Sequence, residues 1–395
     1  MKELTCVVVG GGFAGIHAIK AIRKEHRQQG DSRKLRLVLI DRQPEHLRKV
    51  LLFQPAAGGQ RITVPWRSVL PEEAQFVQGS ALDVESEDKR LKYADSEGSI
   101  RWIDYDILVL AIGSVARQAT AEQGGIALDG LEAAGRIRQR WQTNMKLAAA
   151  ETNAEERRRL LTAAVAGAGI TGIETAAELA HAMRLEAPRF GIDPAEVTVH
   201  LLNSQERLFL EGPAKAGLKL EQDLAEVGVT VHHRSRAVRE EGGKLLLHAG
   251  VPLAVGLTVW TLGLVANPAL RDMALPLTED GQVIVDESYR VSGSHRVYCI
   301  GDCARIIDPE SGKADRMTCK EAIPQAQRLG GIIFDDLSGR PAQRHKPAID
   351  SYTVALGPGR GLLWTRKWGL DFIITGKLAY RIKTLLWDNA SLLRL

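Results

Sequence analysis

The residues Gly10-Gly11-Gly12-Phe13-Ala14-Gly15 have the spacing G-x-G-x-x-G and follow directly on the apolar run Cys6-Val7-Val8-Val9. That spacing suits a pyrophosphate. The first glycine permits a tight turn, the second lets the backbone approach phosphates, and the third lets a helix pack closely on the preceding strand. The helix start at Phe13 and Ala14 then offers free N–H groups and the positive end of a dipole. The spacing returns at Gly167-Ala168-Gly169-Ile170-Thr171-Gly172, after Ala163-Ala164-Val165-Ala166. Small residues that merely pack a helix on a sheet would explain one copy. Two copies, each in strand–turn–helix context, point to two nucleotide sites in one chain and to electron transfer between two bound nucleotides.

An acid at the end of the next strand would bind ribose hydroxyls. After the first motif, Leu35-Arg36-Leu37-Val38-Leu39-Ile40 reads as a buried strand ending in Asp41, with Arg42 beside it. After the second, Val197-Thr198-Val199-His200-Leu201-Leu202 ends in Asn203-Ser204 instead. A carboxylate there would repel a 2′-phosphate, so its absence leaves the second site open to NADPH as well as NADH. Arg207 is the candidate cation for that phosphate.

The elements that must position these residues follow in order. Ile16, Ile19 and Ile22 recur on one helix face over residues 16–29. Residues 76–112 read as short strands, ending in the buried run Tyr105–Ile112 and the turn Ala111-Ile112-Gly113. Residues 130–161 read as helical and charged. Pro188 and Pro194 mark a loop insertion, and Leu257–Leu262 closes the second lobe with a turn at Gly263. Residues 316–337 read as a helix, and Pro341, Pro347 and Pro358 mark a boundary before the C-terminal segment.

The 395 residues allow two or three domains, and 45% hydrophobic content fits a globular protein. A net charge of +4 is too small to argue for nucleic acid. The cysteines are Cys6, Cys299, Cys303 and Cys319, with no C-x-x-C among them and no pair after the first ribose strand. This argues against a redox disulfide near the first site, and no metal-ligand cluster is evident. The chain enters a strand almost at once, leaving no room for a signal peptide, and it lacks an apolar run of about 18 residues or more. A cytoplasmic location is expected, with attachment to the inner face of the cell membrane as the variant.

Val297-Tyr298-Cys299-Ile300-Gly301-Asp302-Cys303-Ala304 resembles the strand and Gly-Asp motif of two-dinucleotide-binding flavoproteins. The resemblance spans about residues 5–340 and implies FAD in the first lobe, with Asp302 hydrogen-bonded to its ribityl chain. Within that superfamily the chain is similar to type II NADH dehydrogenases and to apoptosis-inducing-factor-like, ferroptosis suppressor-like quinone reductases. His46-Leu47 followed by Leu51-Leu52-Phe53-Gln54-Pro55-Ala56-Ala57-Gly58 matches the segment beside the flavin, while Arg48-Lys49-Val50 departs from the usual aromatic-polar-proline stretch. Glu174 matches the glutamate these families keep in the second fingerprint helix. The resemblance implies a place for it beside the nicotinamide and flavin rings; a first-turn glutamate stabilised by the helix dipole is the plain alternative. Cys319-Lys320, followed by Glu321-Ala322-Ile323-Pro324-Gln325, stands where type II dehydrogenases carry alanine-glutamine. A lysine there is similar to ferroptosis suppressor-like and sulfide:quinone reductases, and Lys320 and Ala322 are expected against the flavin. Lys320 could then stabilise reduced flavin or polarise a quinone carbonyl.

These features imply an α/β fold with two Rossmann-like domains: FAD-binding over 1–118 and 276–340, NAD(P)H-binding inserted over 119–275, and a C-terminal segment over 341–395. Residues 366–387 mix Trp, Phe, Leu and Ile with Lys and Arg at helical spacing, which suits a helix lying on an anionic membrane surface. Packing on the protein itself or in a homodimer would need the same apolar face. The expected activity is NAD(P)H:quinone oxidoreduction through FAD. A reductase of a small electron-carrier protein and a slow-turnover NAD(P)H-sensing flavoprotein are the alternatives.

Overall fold

The computed structural model describes residues 3–393. Its helices are α1 (Phe13–Gln29), α2 (Phe53–Ala57), α3 (Leu131–Ala150), α4 (Ala154–Leu160), α5 (Ile170–Glu186), α6 (Ala214–Glu226), α7 (Cys319–Leu337) and α8 (Gly376–Ala390). Strand Glu3–Val9 lies at the heart of the first sheet, parallel to Lys34–Asp41 on one side and Ile107–Leu110 on the other. Val297–Cys299 returns from far along the chain to pair with Ile107–Leu110. Ala74–Glu85 extends the opposite side and continues into the antiparallel strands Arg90–Asp95 and Ile100–Asp104. The inner strands are covered on both faces, which is why they read as unbroken runs of Val, Ile and Leu rather than as alternation.

The second sheet is parallel throughout, in the order Ile126–Ala127, Leu257–Trp260, Thr162–Ala166, Thr198–Leu202 and Val229–His232. Both fold class and the pairing of two strand–turn–helix units thus agree with the sequence. Helix α7 packs along α1, and Gly330 permits this because a Cβ there would meet the backbone of Ala21 at 2.8 Å.

Two stretches differ from expectation. The helical stretch over 130–161 is broken between α3 and α4, because the Asn153 side chain accepts from the backbone N–H groups of Glu155 (2.9 Å) and Glu156 (3.1 Å) and so starts a new helix. In the C-terminal segment only the second half is helical. Strands Ser351–Ala355, Gly361–Lys367 and Leu370–Thr375 form an antiparallel sheet before α8. Trp368 (φ +53°) and Gly369 (φ +76°) both lie in the left-handed region and turn the chain back between the last two strands.

The hydrophobic core is divided. One part lies between the first sheet, α1 and α7. The other gathers the second sheet and α5 with Phe53 and Ala56 of α2, and with Val354, Leu362, Trp364 and Trp387 of the C-terminal segment. Segments distant in sequence thus join both lobes. Helix α8 is fixed by an ion pair of Arg48 with Asp388 (2.8 Å), by Arg48 Nε donating to Ser391 Oγ (3.1 Å) and by His17 Nε2 donating to the Ala390 carbonyl (3.1 Å). Trp387 also packs on Phe53, with ring centroids 5.9 Å apart. Among the described residues no helix is long and apolar enough to cross a membrane. Trp387→Ala should lower the unfolding free energy by about 3–5 kcal/mol, measured by chemical denaturation.

Candidate functional site

The two glycine motifs adopt the same geometry. Gly10 (φ +97°) and Gly167 (φ +116°) turn the chain off their strands in a backbone region that side chains disfavour. A Cβ on Gly15 would fall on the Gly10 carbonyl, and a Cβ on Gly172 on the Gly167 carbonyl. Only hydrogen at those positions lets α1 and α5 sit against their strands. At the middle positions, Gly12 and Gly169, a Cβ would meet nothing within 4 Å. These open positions lie at the N-termini of α1 and α5, formed by Phe13-Ala14 and Ile170-Thr171, an arrangement that suits a pyrophosphate.

Around the first motif the surroundings are complete. Asp41 Oδ2 accepts from the Gly11 N–H at 2.6 Å and Oδ1 from the Gln43 N–H at 2.7 Å, and burial raises its pKa. Arg42 is exposed beside it. The Ala111 carbonyl lies against Gly10, and Gly113 opens the following turn. His46 is fully buried, and burial lowers its pKa to about 4, so its ring is neutral. Its Nδ1–H donates to the Gly11 carbonyl at 2.9 Å, leaving Nε2 as a buried acceptor with no protein partner. Gly301 brings α1 and α7 together, since a Cβ there would stand 3.0 Å from that of Ala14 and 3.8 Å from that of Ala322. Ser114 Oγ donates to Asp302 Oδ2 at 2.6 Å, and burial raises the Asp302 pKa. An open cradle with a ribose-type acid beside it suits a dinucleotide.

The second site is less complete. Gly263 turns the chain after Leu257–Trp260, as Gly113 does after Ile107–Leu110. Asn203, however, is buried, and its side chain braces its own loop. Its Nδ2 donates to the Arg207 carbonyl (2.9 Å) and meets His233 Nδ1 (3.0 Å), while its Oδ1 accepts from the Gln205 N–H (3.1 Å). Arg207 is likewise committed to backbone carbonyls, those of Leu208 (3.2 Å), Phe209 (2.8 Å) and Gly212 (3.1 Å). It is therefore not the free cation expected for a 2′-phosphate.

Between the sites lies an ion pair that crosses the molecule. Glu174, 4% exposed, accepts from the Ala355 N–H at 2.9 Å and pairs with Lys383 Nζ at 2.9 Å. Lys383, 9% exposed on α8, also donates to the Thr353 carbonyl at 2.6 Å. Burial raises the Glu174 pKa, opposed by the Lys383 charge. One turn further along α5, burial and the Glu174 charge push Glu178 up to about 7. Cys319 at the start of α7 feels both Lys383 and Asp302, so this pair and the first site share one region. Lys320 is held beside Glu321 (2.8 Å) and over the Tyr352 ring (5.1 Å), with the Tyr352 hydroxyl accepting from Arg316 (2.8 Å).

Sequence reasoning singled out neither Lys383 nor Lys49. Lys49 Nζ donates to the Ser114 carbonyl at 2.6 Å and lies near enough to Asp302 for their charges to interact. Its signal was the departure of Arg48-Lys49-Val50 from the familiar stretch. Lys383 had none, since it reads as one more cation on an amphipathic helix. Among the described residues no group of His, Cys, Asp and Glu is placed to hold a metal.

Comparison with known proteins agrees with this geometry. A type II NADH:quinone oxidoreductase of Haemophilus influenzae is 26% identical over 94% of this chain and 90% of its own length. A demethylphylloquinone reductase of Synechocystis is 23% identical, covering 96% and 90%. Among solved structures, NDH2 from Plasmodium falciparum in complex with NADH has the same fold, with a TM-score of 0.81 at 16% identity over 100% of this chain and 95% of that one. The sulfide:quinone oxidoreductase of Aquifex aeolicus follows with a TM-score of 0.75 at 16% identity, covering 98% and 90%. The family model for pyridine nucleotide-disulphide oxidoreductases matches residues 4–327, and with both cradles in place the chain belongs to that family.

Proposed function

We propose that this protein is an FAD-dependent NAD(P)H:quinone oxidoreductase. The observation that carries the reading is the pair of open cradles at Gly12 and Gly169, one with a full set of dinucleotide groups and one without a ribose acid. The first, with Asp41, Gly113 and Asp302, suits a resident FAD. The second suits a nicotinamide that comes and goes. When bound, the flavin supplies the capacity to take two electrons from a nicotinamide and pass them on. The chain's own residues position the partners and set the local charge. Gly167, Gly169 and Gly172 seat the donor's pyrophosphate, and Glu174, held by Lys383, lies one helical turn from that seat. The strand before the Asn203 loop ends in an amide rather than an acid, which supports NADPH as well as NADH as a donor, although Glu206 lies exposed further along that loop. The quinone assignment is supported by the named activities of the relatives, and by the absence of cysteines from the segment 45–58 that carries a redox disulfide in other flavoproteins of this type.

The C-terminal segment supports a membrane-facing acceptor side. Helix α8 buries Ala379, Lys383 and Trp387 against the protein, yet Leu378, Leu385 and Leu386 stay exposed on its outer side among Lys377 and Arg381. The neighbouring hairpin exposes Trp368 (81%), Leu370 (62%) and Phe372 (44%). Apolar groups ringed by cations suit the headgroup region of an anionic leaflet, from which quinones are drawn. We place the protein peripherally on the inner face of the cell membrane.

Steady-state assays of the flavin-loaded protein should give NADH and NADPH oxidation that depends on added short-chain quinone. Turnover with ferredoxin or rubredoxin and none with quinones would favour a carrier-protein reductase instead. In liposome flotation the full chain should rise with vesicles containing phosphatidylglycerol, and the triple variant Trp368→Ser/Leu370→Ser/Phe372→Ser should stay behind. Equal flotation of the two would remove the hairpin from the membrane contact.

A further inference from the structure

We propose that the cavity between α2 and α3 is a binding site for a small organic acid, whose carboxylate meets Arg138. The inference stands apart from the two nucleotide cradles and does not rest on what they hold.

The cavity measures about 330 Å³. Pro55 of α2 and Gly59 just beyond it form one wall, and Leu131, Gly135, Arg138 and Gln142 of α3 form the other. The four helix residues are spaced three or four apart and so share one face. Gly135 leaves that face open, because a Cβ there would meet nothing within 4 Å. The other side of α3 is anchored. Ala134, Ile137 and Trp141 lie in the core of the second lobe, and Trp141 Nε1 donates to the Ala56 carbonyl at 3.2 Å. Both walls are therefore fixed before a ligand arrives.

Arg138 lines this cavity with a guanidinium that lacks a protein partner. Its Nε is buried and unbonded, and among the described residues none of its nitrogens reaches a carboxylate or another acceptor. Arg90 and Arg184 also have an unbonded buried Nε, yet each is held elsewhere, Arg90 by Glu85 at 2.7 Å and Arg184 by the Val227 carbonyl at 2.9 Å. Arg138 has no such second bond. The positions three and four away along α3 are Ala134, Gly135, Trp141 and Gln142, so its own helix brings no acid to it. Gly59 (φ +78°) presses its backbone on the guanidinium, where a Cβ would fall 2.2 Å from Nη1. The chain thus closes over the cation without neutralising it.

A partly buried cation with five unused N–H donors is costly unless an anion joins it. The planar fork suits a carboxylate, which accepts two parallel hydrogen bonds, and the Gln142 amide offers a further donor. Pro55 and Leu131 supply apolar wall instead, and Leu131 is 40% exposed. The volume lies at the lower end of the range for small-molecule pockets and exceeds what an inorganic ion fills. Charge at one end and apolar contact at the other select an organic acid over inorganic phosphate.

The test is isothermal titration calorimetry of the full chain with benzoate as the probe, in a buffer free of other oxyanions. The parent should bind one equivalent saturably. Arg138→Gln should weaken binding at least about tenfold, the loss expected for hydrogen bonds to a charged group. Arg138→Lys should fall between the two, since an ammonium keeps the charge but not the fork. Gly135→Leu keeps the cation, fills the cavity and should abolish binding. Neither position makes a hydrogen bond through its side chain or belongs to the core, so the variants should fold. A parent that takes up no benzoate overturns the proposal. So does parent-like binding in Arg138→Gln or Gly135→Leu, which would place the benzoate elsewhere. Inorganic phosphate bound as tightly as benzoate overturns the choice of an organic acid.

Discussion

The Glu174–Lys383 ion pair is the constraint around which the rest of the molecule is arranged. Both side chains are almost fully buried, and each also bonds to the C-terminal sheet, Glu174 to the Ala355 N–H and Lys383 to the Thr353 carbonyl. Taking two charges out of water costs several kcal/mol per ion, which their attraction offsets only with good geometry and further hydrogen bonds. Removing one partner from such a pair typically costs about 3–5 kcal/mol. The pair is therefore a poor device for stability alone and a strong one for specifying position. It forces α8 to turn a lysine inward and ties the second nucleotide lobe to the last residues of the chain. Phe53 and Ala56 belong to the same core, so the segment beside the first site is drawn in as well. The two cradles and the C-terminal segment are thereby held in one arrangement.

This arrangement makes the two glycine motifs alike in backbone and unlike in chemistry. Their turns, helix contacts and open middle glycines correspond position for position. Beyond them the first site gathers Asp41, His46, Lys49 and Asp302, all on groups whose protonation burial perturbs. The second spends its corresponding polar residues, Asn203 and Arg207, on holding a loop in shape. A site lined with desolvated polar groups favours a ligand that stays; a site lined with satisfied ones suits a ligand that exchanges.

Much of the fold was legible because its signals are local. Glycine spacing, buried strands and the Gly-Asp turn each state their own geometry, and they located Gly10, Gly15, Asp41, Gly167, Gly172 and Asp302 where the structure has them. The misreadings came from contacts between distant residues. The hairpin over 361–375 carried cations and aromatics that also fit a helix, and only the left-handed turn at Trp368-Gly369 separates the two. Arg207 was read as a cation free for a 2′-phosphate because its bonds to the Phe209 and Gly212 carbonyls leave no mark on spacing. Lys383 was invisible as a site residue because what distinguishes it is burial against Glu174, far earlier in the chain, while Lys49 showed only as a departure from the familiar stretch and not as a buried contact with the Ser114 carbonyl.

The central claim is that an electron pair passes from a nicotinamide in the second cradle, through a flavin in the first, to a quinone. Anaerobic addition of one equivalent of NADH to the flavin-loaded protein, followed by a soluble quinone, tests it most directly. The account predicts that the visible flavin absorbance is lost on adding NADH and regained on adding quinone. A flavin that stays oxidised in the presence of NADH would contradict it.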